Sequence, residues 1–215
     1  FSIGLRVGDN TLDPGYYDLL ASEARLTSFV AIAKGDVPVS HWFCLGRPMI
    51  PVEDSAALVS WSGSMFEYLM PALVMHPPKG SLLEQPLNLV IGRQIDYAAR
   101  KKVPWGISES AYNRRDLHQT YHYSNFGIPD LGLKRGLAAD LVIAPYASFL
   151  AAMFAPTEAS ANLKKLAGLG AAAALAAHGV AQGLARDQVG GLLLLTVTAL
   201  TVLAGAPRPG AQLLE

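Results

Sequence analysis

Apolar residues recur at helical spacing in several separate stretches of this 215-residue chain. In the first stretch, Asp13-Pro14 is typical of a helix start, and Gly35 is typical of a helix end. Between these two signals the apolar residues lie three to seven positions apart. The same reasoning predicts further helices over residues 64–75 and 82–101, and shorter ones over 146–154 and 157–169.

The segments between these helices carry no comparable pattern. Residues 36–52 contain three prolines and are predicted to form an extended connection. Residues 104–132 have no sustained period, but they are rich in aromatic and hydrogen-bonding side chains. Because no segment of useful length alternates between apolar and polar residues, the sequence predicts a mostly α-helical fold of antiparallel helix pairs joined by long functional loops.

The composition changes sharply along the chain. All 18 aromatic residues lie before residue 155, and residues 161–215 are mostly Ala, Leu and Gly. We therefore expect one domain over residues 1–170 and a low-information tail over 171–215. Three interpretations of the tail remain open: a reading frame shifted near residue 170, a packed helix, or a short membrane span over residues 190–206.

Charge and cysteine content exclude several classes of function. The 17 basic and 17 acidic residues balance and form no basic run, so no nucleic-acid partner is predicted. The single cysteine, Cys44, excludes an internal disulfide framework and a zinc site built from several thiolates. The histidines match no compact ligand set, and we predict neither a metal nor a cofactor. The missing initiating Met suggests a start inside a longer reading frame.

The most informative stretch for chemistry is residues 104–136. It places one carboxylate, Glu109, between Trp105 and Tyr112 and close to several Ser and Asn side chains. Flat aromatic faces beside hydrogen-bonding groups suit a sugar ring. A carboxyl group among aromatics has a raised pKa, which favours a general-acid role. The alternative is that Glu109 caps the turn before a helix.

A similar combination occurs upstream, where Trp61 precedes a flexible turn and Glu67 follows at the start of a predicted helix. Glu67 could pair with Glu109 across a cleft, because glycosidases use two carboxylates that flank one bond. It could equally be a first-turn glutamate that the helix dipole favours.

Four long strings carry a resemblance to a known family. They are residues 11–43, 58–75, 103–113 (VPWGISESAYN) and 121–148 (YHYSNFGIPDLGLKRGLAADLVIAPYAS). Together they closely resemble the glycoamylase-like domain of cyclic β-1,2-glucan synthases, nearly without gaps over about residues 2–170.

The resemblance implies a fold and an activity. Domains of this family form an (α/α)6 barrel, so this chain is expected to be an all-α, partial barrel. The implied activity is retaining transglycosylation that cyclises linear β-1,2-glucan, while related endo-β-1,2-glucanases hydrolyse the same linkage. The resemblance places Glu109 at a catalytic position, while Glu67 stays the candidate second carboxylate from the residues alone. The matched cleft positions are Trp61, Glu67, Trp105, Tyr112, Tyr121, Lys134 and Arg135.

The resemblance also implies a setting. The intact parent is a large inner-membrane synthase whose other domains are the expected partners, with this domain on the cytoplasmic side. The family's second catalytic Glu motif has no counterpart in residues 171–183. We therefore expect a fragment that is inactive alone, with a non-catalytic glucan-binding remnant as the alternative.

Overall fold

The computed structural model describes residues 1–52 and 54–169. They form five α-helices, three 3₁₀ helices and three two-stranded antiparallel sheets. The α-helices are α1 (Ala24–Lys34), α2 (Met65–Leu69), α3 (Gln85–Lys101), α4 (Pro145–Ala151) and α5 (Pro156–Gly168). The strands pair as β1 (Leu5–Arg6) with β2 (Thr11–Leu12), β3 (Met49–Val52) with β4 (Ser55–Leu58), and β5 (Ser110–Arg115) with β6 (Tyr121–Ser124). The 3₁₀ helices are Val39–Cys44, Met70–Leu73 and Pro129–Leu131.

The predicted all-α fold, a partial (α/α)6 barrel, is wrong for the described residues, which mix helices with small sheets. The strands are two to six residues long and pair only as hairpins. Such strands are too short for an alternating pattern to stand out in the sequence. The β5–β6 hairpin lies inside the stretch that was expected to be irregular.

Several predicted helices shift at their starts or ends. The first helix begins at Ala24 and not at the predicted start beside Asp13. The Asp13 side chain accepts a hydrogen bond from the Gly15 N–H (2.8 Å) in a local turn and does not cap a helix. The predicted end of this first helix is confirmed, since Gly35 adopts a left-handed conformation with φ of 79°. The second predicted helix is α-helical only to Leu69 and then becomes 3₁₀, with Pro71 in its first turn.

The expectations for the tail fall on residues outside the described part of the chain. The interpretations of residues 190–206 therefore stay predictions. Within residues 1–52 and 54–169, no helix has the length and apolar character that a membrane crossing requires.

The main core lies where α2 packs between α3, α4 and the β3–β4 hairpin. Tyr68 of α2 is fully buried there. Its hydroxyl accepts a hydrogen bond from the Ser60 N–H (3.0 Å) and lies 2.8 Å from the Leu58 carbonyl and 2.9 Å from the Leu131 carbonyl. This one side chain joins three chain segments around the residues that precede α2.

Residues 60–64 press directly against residues 127–134. The Ser60 N–H donates to the Leu131 carbonyl (3.0 Å), and the Lys134 N–H donates to the Trp61 carbonyl (2.8 Å). A Cβ atom at Gly127 would lie 1.9 Å from the Ser62 carbonyl oxygen, so only glycine fits. Gly63, with φ of 69°, makes the turn that brings the chain into α2.

Candidate active site

Main-chain hydrogen bonds from distant residues fix the position of Glu109. Its N–H donates to Ser64 Oγ (3.1 Å), and its carbonyl accepts from the Tyr146 hydroxyl (2.7 Å). Ser108 Oγ lies 2.8 Å from Ser64 Oγ and 2.8 Å from the Tyr146 hydroxyl oxygen, so it links the two contacts into one network. Two residues before Glu109, the N–H (3.0 Å) and the carbonyl (2.8 Å) of Ile107 both bond to the Gln94 side chain. The backbone at Glu109 is therefore held from α3, α4 and the start of α2.

The Glu109 side chain is held much less tightly. It is half-buried, and burial is the main reason that its pKa rises to about 7. The negative charge of Glu23 raises the pKa further, whereas a hydrogen bond with the Tyr123 hydroxyl lowers it. Near neutral pH the carboxyl group is thus about half protonated, and it can either donate or accept a proton.

Glu67 has a different environment, because its carboxylate is only 4% exposed and receives many hydrogen bonds. The donors are the Ser60 hydroxyl (2.8 Å), the Ser62 hydroxyl (2.6 Å), and the backbone N–H groups of Trp61, Ser62 and Ser64 (3.1–3.2 Å). Together with Ser64, Glu67 forms the capping box of α2. This geometry favours the interpretation of Glu67 as a first-turn glutamate over the catalytic one, and it adds a capping role that was not predicted.

A second carboxylate that the sequence analysis missed lies beside Glu109. Glu23 directly precedes α1 and is half-buried, and its Oε2 atom has no hydrogen-bond partner among the described residues. Burial raises its pKa, and the charge of Glu67 adds to that effect. The charge of Glu23 also raises the pKa of Glu109, so the two carboxyl groups lie close enough to interact.

Arg25 holds the start of α1, and therefore Glu23, against α2. Its guanidinium is buried and donates to the carbonyls of Leu20, Ser22 and Glu67 (each 3.3 Å) and of Tyr68 (2.6 Å). Burial lowers its pKa to about 10, so it remains a cation at neutral pH. The sequence signal for Glu23 was a charged pair, Glu23 and Arg25, inside the otherwise uncharged run of residues 19–26. It was overlooked because the predicted helix placed Glu23 in mid-helix.

Comparison with known proteins identifies the family. The family model "Glycoamylase: Putative glucoamylase" matches residues 15–179, which include Glu23, Glu67 and Glu109.

The chain belongs to this glycoamylase family.

A curated relative, "Cyclic beta-(1,2)-glucan synthase NdvB" of Rhizobium meliloti (strain 1021), is 59% identical over 177 residues, or 82% of this chain. The match spans 6% of that relative's length. Both findings confirm the predicted resemblance to glycoamylase-like domains of cyclic β-1,2-glucan synthases.

The predicted sugar-contacting residues of this glycoamylase-family chain divide into two groups. Trp105 is buried in the core, and its N–H and carbonyl both bond to the Asn162 side chain (3.1 and 2.8 Å). Tyr112 is half-buried and packs edge-on against Phe126, with a ring-centroid distance of 4.8 Å. The structure therefore gives both rings a packing role.

The other predicted contacts lie nearer the surface. Trp61 is 39% exposed, and Lys134 and Arg135 are exposed. The Lys134 ammonium donates to the Asn125 carbonyl (3.1 Å). The backbone of Tyr121 pairs with Arg115 across the β5–β6 hairpin. Of these residues, Trp61 lies in the segment 60–64 that surrounds the Glu67 carboxylate.

Proposed function

We propose that this chain is the part of a β-1,2-glucan transglycosylase that carries the reacting carboxyl groups, and that Glu23 and Glu109 are those groups. The observation that carries the proposal is a half-buried carboxyl group, Glu109, whose backbone is fixed by Ser64 and Tyr146 in a glycoamylase-family chain. Its pKa is raised to about 7, mainly by burial and further by the charge of Glu23. The linkage comes from the printed name of the relative, a cyclic β-(1,2)-glucan synthase.

The environments of the two groups suggest different roles. Glu109 is half protonated near neutral pH, so it can protonate the oxygen of the departing sugar and later accept a proton. We assign the attack on the anomeric carbon to the Glu23 carboxyl group, which is half-buried and has one buried oxygen without a hydrogen-bond partner among the described residues. Arg25 fixes the backbone next to it. Retaining enzymes of this kind need about 5–5.5 Å between the two carboxyl groups.

In this proposal, transglycosylation runs in two steps. Glu109 gives its proton to the glycosidic oxygen while a Glu23 oxygen bonds to C1, and the C1–oxygen bond of the leaving sugar breaks. A 2-hydroxyl oxygen of an acceptor glucose next bonds to C1, gives its proton to Glu109 and releases Glu23. When the acceptor belongs to the same chain, the product is a ring, and when water takes its place, the product is a shorter linear glucan.

Mass spectrometry of linear β-1,2-glucan incubated with the 215-residue chain tests this proposal. Because Glu23 would supply the second carboxyl group, the proposal replaces the expectation of an inactive fragment with one of activity. Products one water lighter than a linear chain should form, and both Glu23→Gln and Glu109→Gln should abolish them. Glu158→Gln, at an exposed position in α5, is the matched control and should leave the product pattern unchanged.

Two results would count against the proposal. Shorter linear products in place of rings would assign the chain to hydrolysis. Unchanged turnover in Glu23→Gln would remove Glu23 from the chemistry and return the question to Glu67.

A further inference from the structure

Three hydroxyl groups form a closed path of hydrogen bonds with the main chain of Glu109. The path leaves at the Glu109 N–H, which donates to Ser64 Oγ (3.1 Å), and it returns at the Glu109 carbonyl, which accepts from the Tyr146 hydroxyl (2.7 Å). Ser108 Oγ closes the gap, because it lies 2.8 Å from Ser64 Oγ and 2.8 Å from the Tyr146 oxygen. The two serines are fully buried, and Tyr146 is half-buried. We call this closed path the hydroxyl cycle.

The number of protons fixes the direction of every bond in the hydroxyl cycle. A backbone carbonyl can only accept, so the single proton of the Tyr146 hydroxyl points at the Glu109 carbonyl. Ser108 must then donate to the Tyr146 oxygen, and Ser64 must donate to Ser108, since each hydroxyl has one proton to give. The Glu109 N–H donates to Ser64 Oγ, so all the donors point the same way around the cycle.

The remaining contacts agree with this direction. The Phe66 N–H donates to both Ser108 Oγ (3.0 Å) and Ser64 Oγ (3.2 Å). Each serine oxygen therefore accepts two hydrogen bonds and donates one, which uses its full capacity. Burial raises the pKa of the Tyr146 hydroxyl above its ordinary value, so this group keeps its proton at neutral pH and remains a donor.

Hydrogen bonds that point the same way along a chain polarise and strengthen one another, and a buried setting increases this effect. Loss of one bond should therefore weaken the others in the hydroxyl cycle. Tyr146 bonds to the carbonyl of Glu109, whereas Ser64 bonds to its N–H. An effect of Tyr146 on the N–H side must consequently pass through the two serines.

We propose that Tyr146 is a positioning residue for Glu109, which it holds through the cooperative hydroxyl cycle with Ser108 and Ser64. Tyr146 lies in the first turn of α4 and Ser64 is the N-cap of α2, so the cycle joins two helices at the residue that carries the carboxyl group. Small displacements of a reacting group strongly reduce the rate of catalysis. The inference rests on the proposed function of Glu109 and adds a residue that acts through it.

Amide hydrogen exchange of the 215-residue chain, followed residue by residue by NMR, tests the hydroxyl cycle without requiring activity. In Tyr146→Phe, the Glu109 N–H should exchange about tenfold faster, because its bond to Ser64 loses the support of the aligned donors. The Ile107 N–H bonds to Gln94 Oε1 (3.0 Å) outside the cycle, so it serves as the internal reference. Its exchange rate should stay within about twofold of the wild-type rate.

Two further variants complete the exchange experiment. Ser108→Ala breaks the cycle at another point and should give the same selective change at Glu109, so the test does not depend on one variant folding. Ser148→Ala is the matched control, because it removes a buried hydroxyl from the same helix as Tyr146. That hydroxyl accepts a hydrogen bond from Asn162 Nδ2 (2.9 Å) and lies outside the cycle. Exchange at Glu109 should be unchanged in this control.

Turnover of linear β-1,2-glucan measures whether the hydroxyl cycle positions the carboxyl group. Tyr146→Phe and Ser108→Ala should each lower kcat about tenfold and leave KM within about twofold. The double variant should also lose about tenfold, because one break already opens the cycle, whereas independent contributions would multiply to about a hundredfold. Ser148→Ala should keep the wild-type kcat.

The possible failures are distinguishable. Unchanged exchange of the Glu109 N–H in Tyr146→Phe, or independent losses of kcat in the double variant, would overturn the cooperative cycle and leave the proposed function standing. Faster exchange at Glu109 with unchanged kcat would overturn the positioning role. A wild-type chain without turnover would contradict the proposed function, while the exchange rates would still decide whether the cycle is cooperative.

Discussion

Glu67 and Glu109 occupy similar stretches of sequence, each a few residues after a tryptophan, a glycine and a serine, yet the fold treats them differently. Glu67 is almost fully buried, and residues 60–64 surround its carboxylate with donors. Glu109 has its backbone fixed by Ser64 and Tyr146, while its carboxyl remains half-exposed with a pKa of about 7. The comparison teaches that two similar stretches of sequence can place one carboxylate inside a network of donors and leave the other half-exposed, as the role in proton transfer proposed for Glu109 requires.

The largest effect should follow from changing the segment that surrounds Glu67. Gly127→Ala places a Cβ 1.9 Å from the Ser62 carbonyl oxygen, and neither backbone can move without breaking the contact between residues 60–64 and 127–134. We expect a loss of about 3 kcal/mol or more in the free energy of unfolding, measured by urea denaturation. Gly168→Ala, where an added Cβ meets nothing within 4 Å, is the control. Equal stability of the two variants would contradict the close approach.

Direct replacement of the two carboxyls sharpens the comparison. Glu67→Gln weakens charge-assisted hydrogen bonds and leaves buried donors poorly paired, so it should cost about 2–3 kcal/mol of unfolding free energy. At pH 4, where Glu109 is mostly protonated in both the folded and the unfolded chain, Glu109→Gln should change stability by less than about 0.5 kcal/mol, because its side chain is half-exposed and has few donors. Thermal and urea unfolding of both variants measure this difference. A larger loss at Glu109 than at Glu67 would reverse the assignment of roles.

Ser108→Ala should show whether the Ser108 network positions Glu109 or only stabilises the fold. The variant removes the oxygen that lies 2.8 Å from both Ser64 Oγ and the Tyr146 hydroxyl, and that accepts from the Phe66 N–H (3.0 Å). We expect a modest cost of about 1–2 kcal/mol in unfolding free energy, together with a roughly tenfold loss of kcat on glucan because Glu109 is less well positioned. Ser160→Ala in α5 is the control. A loss of stability with unchanged kcat would mean that the network does not position Glu109.

The last comparison concerns how the free energy of unfolding depends on pH in the wild-type chain and in Glu109→Gln. The pKa of Glu109 rises from the ordinary value of 4.5 to about 7 on folding. Its favourable contribution is therefore complete below about pH 4.5 and is lost as the pH rises through about 7. Relative to Glu109→Gln, the wild-type chain should lose stability over this window. Unfolding measured at pH 4, 5.5 and 7.5 checks the sign, and Glu158→Gln controls for the loss of one negative charge. A flat difference would mean that the carboxyl is not desolvated.

The sequence predicted the features that depend on local chemistry. Gly35 at the end of α1 and the apolar stripe of α3 follow from backbone preference and periodicity within one segment. A first-turn position of Glu67 was also one of the two interpretations that followed from the sequence. Each of these depends on residues only a few positions apart.

Features that depend on distant contacts were missed. The hairpin β5–β6 pairs short strands whose pattern carries little signal, and the mixed fold could not be inferred without it. Glu23 was missed because its role arises from proximity to Glu109, 86 positions later in the sequence. The choice between Trp61, which is exposed, and Trp105, which is buried, is likewise a matter of tertiary packing.

The network around Glu109 also has a consequence for how the molecule folds. Its two main-chain partners, Ser64 and Tyr146, lie 45 and 37 residues away along the chain. Contacts of such long range form only after the intervening chain has been ordered, and they are slow to appear during refolding. Local helices recover early, but no partly folded species holds the carboxyl in place. Recovery of activity after denaturation should therefore follow the slowest kinetic phase, well after helical circular dichroism has returned.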